Sequence, residues 1–165
     1  MSRTIALLTR EPVDEVLMKG GTGDWVTNAG RAREYPFVVL VRNRNHPSAP
    51  SDTDHGKPFL VGRISGARFS ASARNGYPRV FIEIDSYAPV NASNACWSKS
   101  QNPVWYTDLA TLGIDEKELE FRPMPHTGAK QAKSVNKDHV LADIKRQIGQ
   151  LYNVPRSAVE VTIRL

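Results

Sequence analysis

The sequence predicts an α+β protein: a small, twisted, mixed β-fold with short peripheral helices and a C-terminal helix–strand appendage. Three observations predict it. The run Tyr35–Val41 is nearly continuous in apolar and β-branched residues, as expected of a strand covered on both faces. Two further runs, Phe59–Ile64 and Arg79–Asp85, have strand length and composition, the second with alternating polarity. Near the C-terminus, Val140, Ile144, Ile148 and Leu151 recur at helical spacing, and Ala158–Leu165 then alternates. These place a β-domain over 1–125, a basic linker over 126–137 and an appendage over 138–165.

Residues 11–18 open with Glu11-Pro12, and proline in the first turn with acids at the positive end predicts a short helix. Lys19–Asp24 contains Gly20, Gly21 and Gly23 and is expected to form a flexible turn. No strand precedes it and no Gly-Lys-Ser/Thr follows, which argues against a phosphate loop. After the strand at Tyr35–Val41, Asn43–Lys57 is a polar loop rich in Ser, Pro and Asp. Gly62 inside the second strand marks a bulge or a close backbone approach. Arg68–Gly76 turns into the third strand. The loop Asn91–Asn94 delivers Cys96 and Trp97, and Asn102–Tyr106 is a short extended piece. Asp108–Ile114 makes a helical turn stopped at Gly113, and Glu118–Arg122 adds a last short strand. The 28-residue appendage is too small to hold a core alone, so it packs on the main domain or on a second copy of itself; an edge strand there makes a homodimer plausible.

Composition narrows the function classes. The 165 residues are 40% hydrophobic and 24% charged, ordinary for a globular protein. No apolar stretch is long enough for a membrane span, and the N-terminal one is too short for a signal peptide. A single cysteine, Cys96, excludes an internal disulfide and fits a reducing compartment, so a cytoplasmic location is expected. The net charge of +5 favours anionic partners only mildly. Bases cluster at Arg31, Arg33, Arg42 and Arg44, and again over 122–137.

Trp25-Val26-Thr27-Asn28 before a buried strand, then Pro58–Ile64, then Val80–Ile84, resemble the PUA-like superfamily, in particular its EVE, ASCH and YTH relatives. Asn102-Pro103-Val104-x-Tyr106 and Leu112–Asp115 are similar to an uncharacterised bacterial group with this architecture. The resemblance spans about residues 25–125; the family's usual Trp-Leu-x-Lys-Ser-Glu-Pro-like opening is absent, with Ile5–Arg10 and Glu11-Pro12 in its place. The resemblance implies a compact β-barrel and recognition of a nucleobase, often a modified one, flipped into an aromatic-lined pocket.

A flipped base needs rings to stack on and amides to read its edge. Trp25, Trp97 and Trp105, all expected in loops, are the candidate platforms. Asn28, Asn43 and Asn102 are the candidate readers. Arg31, Arg33, Arg42 and Arg44 are candidate phosphate holders, because a guanidinium matches phosphate oxygens with paired hydrogen bonds. Trp25 is the platform to favour, with the Trp97 loop as a lid; Trp105 is the one expected simply to be packed. The expectation is a non-enzymatic nucleic-acid-binding module with no cofactor, no metal and no membrane partner. One rival is a protein-interaction or small-ligand module that dimerises through its C-terminal segment. Another is a divalent-metal hydrolase or nuclease using Asp52, Asp54 and His55, although a loop of this composition is usually a turn system. Cys96 as nucleophile lacks an adjacent base, and Glu83 with Asp85 as an acid–base pair would share one strand face.

Overall fold

The structure, a computed structural model, describes residues 2–70, 78–97, 101–125, 145, 148, 155–158 and 160. The chain divides into two compact units, Met1–Thr127 and Gly128–Leu165.

The first unit is built on a seven-stranded mixed sheet: β1 (Arg3–Thr9), β2 (Gly21–Trp25), β3 (Phe37–Arg42), β4 (Pro58–Phe69), β5 (Val80–Pro89), β6 (Val104–Asp108) and β7 (Arg122–Pro123). Two short helices, α1 (Val13–Lys19) and α2 (Ala29–Arg33), lie between the first three strands. The strand order is β2-β5-β4-β3-β1-β6, with β7 also pairing β5. Every pairing is antiparallel except β1 with β3, which run parallel in the register Thr4–Phe37 to Thr9–Arg42.

Alternation along the central strands makes two cores. Ile5, Leu7, Val38 and Leu40 point to one face, where they pack with Leu60, Ile82, Ile84 and Trp25 and are covered by Val16 of α1 and by Ala29 and Ala32 of α2. Ala6, Phe37, Val39 and Val41 point to the other face, under Leu109, Leu112 and Ile114. All six residues of β3 are therefore buried, which is why its sequence reads as a continuous apolar run. The α1 helix begins after Pro12, carries Asp14 and Glu15 in its first turn and ends on a left-handed Gly20. Gly62 is a close approach: a Cβ there would lie 2.8–3.0 Å from three side-chain atoms of Ile84. The turn at Ala110–Leu112 stops at Gly113, as expected.

The sheet does not close into a barrel. Its end strands β2 and β6 are not paired, yet the curl brings their neighbourhoods together: Thr27, just beyond β2, hydrogen-bonds through its hydroxyl to the Tyr106 hydroxyl on β6. Other expectations are corrected. The glycine-rich segment is not a turn from Lys19 to Asp24; from Gly21 onward it is strand β2, held in the ladder by β5. Residues 3–9, unassigned from sequence, are the interior strand β1, between β3 and the end strand β6. β4 continues to Phe69, through the expected start of a turn. Glu116–Glu118 is a 3-10 turn, leaving β7 only two residues.

In the second unit, Lys145 and Ile148 are helical and Arg156–Ala158 is a 3-10 turn, where the sequence predicted the first residue of a strand. The linker over 126–137, most of the C-terminal helix and the strand after Ala158 lie outside the described residues, as does the dimerising surface expected of them. No helix among the described residues is long and apolar enough to cross a membrane.

Candidate functional site

A groove of about 800 Å³ opens at the carboxyl ends of the parallel pair β1 and β3. Adjacent parallel strands deliver their following loops to the same rim of a sheet, and ligand crevices commonly form there. After β1 come Thr9, Arg10 and Glu11; after β3 comes Asn43, followed by His46 and Ser48. The curl of the sheet adds Gly23, Asp24 and Trp25 from β2, and Arg79 from the entry to β5.

The floor is a hydrogen-bonded chain. Trp25 Nε1 donates to Thr22 Oγ1 at 3.0 Å, and the Thr22 hydroxyl donates to the Glu11 carboxylate. Thr9 Oγ1 also donates to Glu11 at 3.4 Å, and accepts from the Glu11 amide at 3.0 Å. Lys19 lies 3.6 Å from the other Glu11 oxygen and hydrogen-bonds Glu15. That hydrogen bond raises the Lys19 ammonium above its ordinary value; burial opposes the shift and the nearby Glu11 and Glu15 charges add to it. Glu11 and Glu15 are thus engaged with Lys19 and, for Glu11, with the threonines.

The other cations differ. Arg10 makes no ion pair among the described residues. Arg79 carries a buried Nε with no hydrogen-bond partner. A buried guanidinium N–H is costly to leave unsatisfied, and this one belongs to a side chain lining the groove. His46 accepts from the Ser48 amide through Nδ1 at 3.2 Å, so its neutral ring carries the proton on Nε2 and can donate there.

The predicted site residues are not assembled in one place. Trp25 and Asn43 meet in the groove. Trp25 ends a strand rather than sitting in a loop, and only 8% of it is exposed. Asn43 Oδ1 accepts from the Asn45 amide at 3.0 Å. Arg42 is a correction: it is fully buried, donates to the Glu11 carbonyl at 2.8 Å and to Asp52 at 2.7 Å, and lies 3.8 Å from the Phe59 ring centroid. It cannot hold a phosphate in solvent, because its charge already ties the polar loop to residue 11. Arg44 is exposed, 4.0 Å from Asp54.

Asn28 and Arg33 line a second, apolar groove of about 520 Å³ with Val26, Phe69 and Pro78. Asn28 caps α2, its Oδ1 accepting from the Arg31 amide at 2.9 Å, and Arg33 donates twice to the Ala67 carbonyl at 2.9 and 2.5 Å. Arg31 stacks 3.9 Å from the centroid of Tyr106. Trp97 and Trp105 pack on the opposite face of the sheet, edge to face at 6.0 Å; Trp105 too is in a strand, β6. Asn102 caps the entry to β6, accepting from the Val104 amide at 3.1 Å.

The proposed metal ligands serve the loop instead. Asp52 pairs with Arg42, Asp54 with Lys57 at 2.9 Å, and His55 Nδ1 accepts from the Arg44 amide at 3.1 Å. The Lys57 hydrogen bond and charge lower the Asp54 carboxyl below its usual value. Glu83 is paired with Arg68 at 2.9 Å. Cys96 donates to the Gly56 carbonyl at 3.5 Å, and burial pushes its thiol up, away from the thiolate a nucleophile needs.

Sequence reasoning missed Arg10, Glu11, His46 and Arg79 as groove residues. Arg10, Glu11 and Arg79 lie outside the arginine cluster at 31–44, and His46, just beyond it, belongs to no motif; only the position of Arg10 and Glu11 at the end of β1 could have flagged them, and β1 itself was missed. Comparison with protein-family models, curated proteins and solved structures finds no match. The PUA-like resemblance therefore rests on its short motifs alone.

Proposed function

We propose that this protein is a non-enzymatic binding module for nucleic acid, taking a nucleotide unit in the groove at the carboxyl ends of β1 and β3. The observation that carries the reading is the unpartnered, buried Nε of Arg79 in the same groove as Trp25. The Arg79 guanidinium makes no ion pair among the described residues, so its charge is free for a phosphate at the groove, and a charge-assisted bond of that kind is among the stronger ones available. Arg10 and the Nε2–H of His46 add donors on the same rim, while Asn43 keeps its amide nitrogen for a base edge. The three acids of the groove do not repel the anion at full strength, because Glu11 and Glu15 share Lys19, Asp24 accepts from the Ser70 hydroxyl, and Arg10 and Arg79 line the same groove. Trp25 contributes its partly covered edge to the floor rather than an open stacking face. The finer assignment to a PUA-like module stands on the same footing, supported by the short motifs and by a sheet curled far enough to bring Thr27 to Tyr106.

Isothermal titration calorimetry of the full chain against adenosine 5′-monophosphate and a short single-stranded oligonucleotide tests this. Binding that weakens as salt rises is expected, since phosphate contacts release counterions. Arg79→Gln should abolish most of it. Absence of heat with both ligands at low ionic strength overturns the reading.

A further inference from the structure

The two grooves share a border. Trp25 and Arg79 line the first; their chain neighbours Val26 and Pro78 line the second. Sheet register explains the adjacency: Trp25 of β2 and Phe69 of β4 both pair with Val80 of β5, so the three residues form a row across neighbouring strands. Two strand spacings separate the ends of that row, about 10 Å. At one end Trp25 is packed; at the other Phe69 is 57% exposed and lines the apolar groove together with Val26, which is 60% exposed.

We infer that the apolar groove is a second subsite, holding the base next to the nucleotide bound in the first, so that the ligand is a single strand of at least two nucleotides. The inference rests on the proposed nucleotide site and extends it. Phe69 supplies the open ring that Trp25 does not, and bases of any identity stack on such a ring. Arg79 stands at the step between the grooves, where its guanidinium, in no ion pair among the described residues, faces the phosphate joining the two nucleotides. Arg33 does not contribute that charge through its Nε and Nη2, which are spent on the Ala67 carbonyl. A duplex does not fit this arrangement, because its bases are already stacked and paired and offer no free face to Phe69.

The experiment compares thymidine 5′-monophosphate, the dinucleotide pTpT, a single-stranded dT8 and an eight-base-pair duplex, titrated into the full chain and into Phe69→Ala and Phe69→Tyr. The dinucleotide is expected to bind at least tenfold more tightly than the mononucleotide. Phe69→Ala should remove about 5- to 150-fold of that advantage, the range for one stacked base, and Phe69→Tyr should restore it. Circular dichroism confirms that each variant is folded. Equal affinity for mono- and dinucleotide, with both binding, overturns the second subsite and leaves the first intact. A preference for the duplex overturns it as well. No binding by any of the four ligands overturns the subsite together with the nucleotide site it extends.

Discussion

Replacing Trp25 separates packing from recognition. Its indole is 8% exposed, sits among Val80, Ile82 and Val104 in the helix-covered core, and donates to Thr22. Truncation to alanine removes a large buried side chain, which costs about 3–5 kcal/mol in cores of this kind. Loss of the Nε1–H bond adds little, because Thr22 Oγ1 keeps its own bond to Glu11. For a chain of this length each kcal/mol moves Tm by about 2–4 °C, so Trp25→Ala should melt roughly 6–20 °C lower. Trp25→Phe keeps most of the ring surface and should lose only about 1–2 kcal/mol. Urea denaturation followed by far-ultraviolet circular dichroism measures both. Ligand affinity of Trp25→Phe, taken well below its melting temperature, then reports on the groove alone. If Trp25→Ala stays within about 1 kcal/mol of the parent, the residue is not part of the core and the open-platform role returns to it.

Arg42→Met should cost about 1–3 kcal/mol, set by the Glu11 carbonyl left without its donor, whereas Asp52→Asn, at the half-exposed end of the same pair, should cost about 0–1; equal losses from the two would refute that asymmetry. Gly62→Ala should destabilise by about 1–3 kcal/mol, since its Cβ meets Ile84 at 2.8 Å between two paired strands, and a neutral result in a urea melt would mean the strands part at little cost. Alkylation of Cys96 by iodoacetamide at pH 8 should run slower in the folded chain than in urea, because burial raises the folded thiol above its unfolded value. By the same shift, stability is full below the ordinary thiol range and falls as pH climbs through it, the unfolded chain losing its proton first; matching alkylation rates in both states would exclude the shift.

Most of the fold's interior was legible because single-element signals carry it. The uninterrupted apolar run of β3, the glycine at 62 and the stop at Gly113 each have a local cause, and each is found where expected. What failed depended on partners far away in sequence. Gly21–Trp25 has the composition of a turn and becomes a strand because β5 supplies a ladder for it. Arg42 ends a buried strand opposite an acid ten residues on, so a residue type that is usually exposed is here an internal clamp. The site was less legible still. Ten residues were chosen for chemistry, and the fold distributes them over two grooves, two helix or strand caps, a half-buried ion pair, a stack on Tyr106, an exposed loop and the opposite face of the sheet. Residue type announces what a side chain can do; only the register decides whether two such side chains meet.

The location of the groove follows from one pairing. In an antiparallel sheet, neighbouring strands leave at opposite ends and hairpins close over each rim. Here β1 and β3 run parallel, so the chain leaves both at the same end, and neither exit can be a hairpin to the other. Two unrelated loops, residues 10–12 and 43–57, must share that rim. The buried Arg42 bonds both, to the Glu11 carbonyl on one side and to Asp52 on the other, which holds them without filling the space between. The curl of the sheet then folds β2 and the start of β5 over the opening, bringing Trp25 and Arg79 to its edge. A parallel pair in an otherwise antiparallel sheet thus creates the opening, a buried arginine fixes its walls, and an unpartnered arginine supplies its charge.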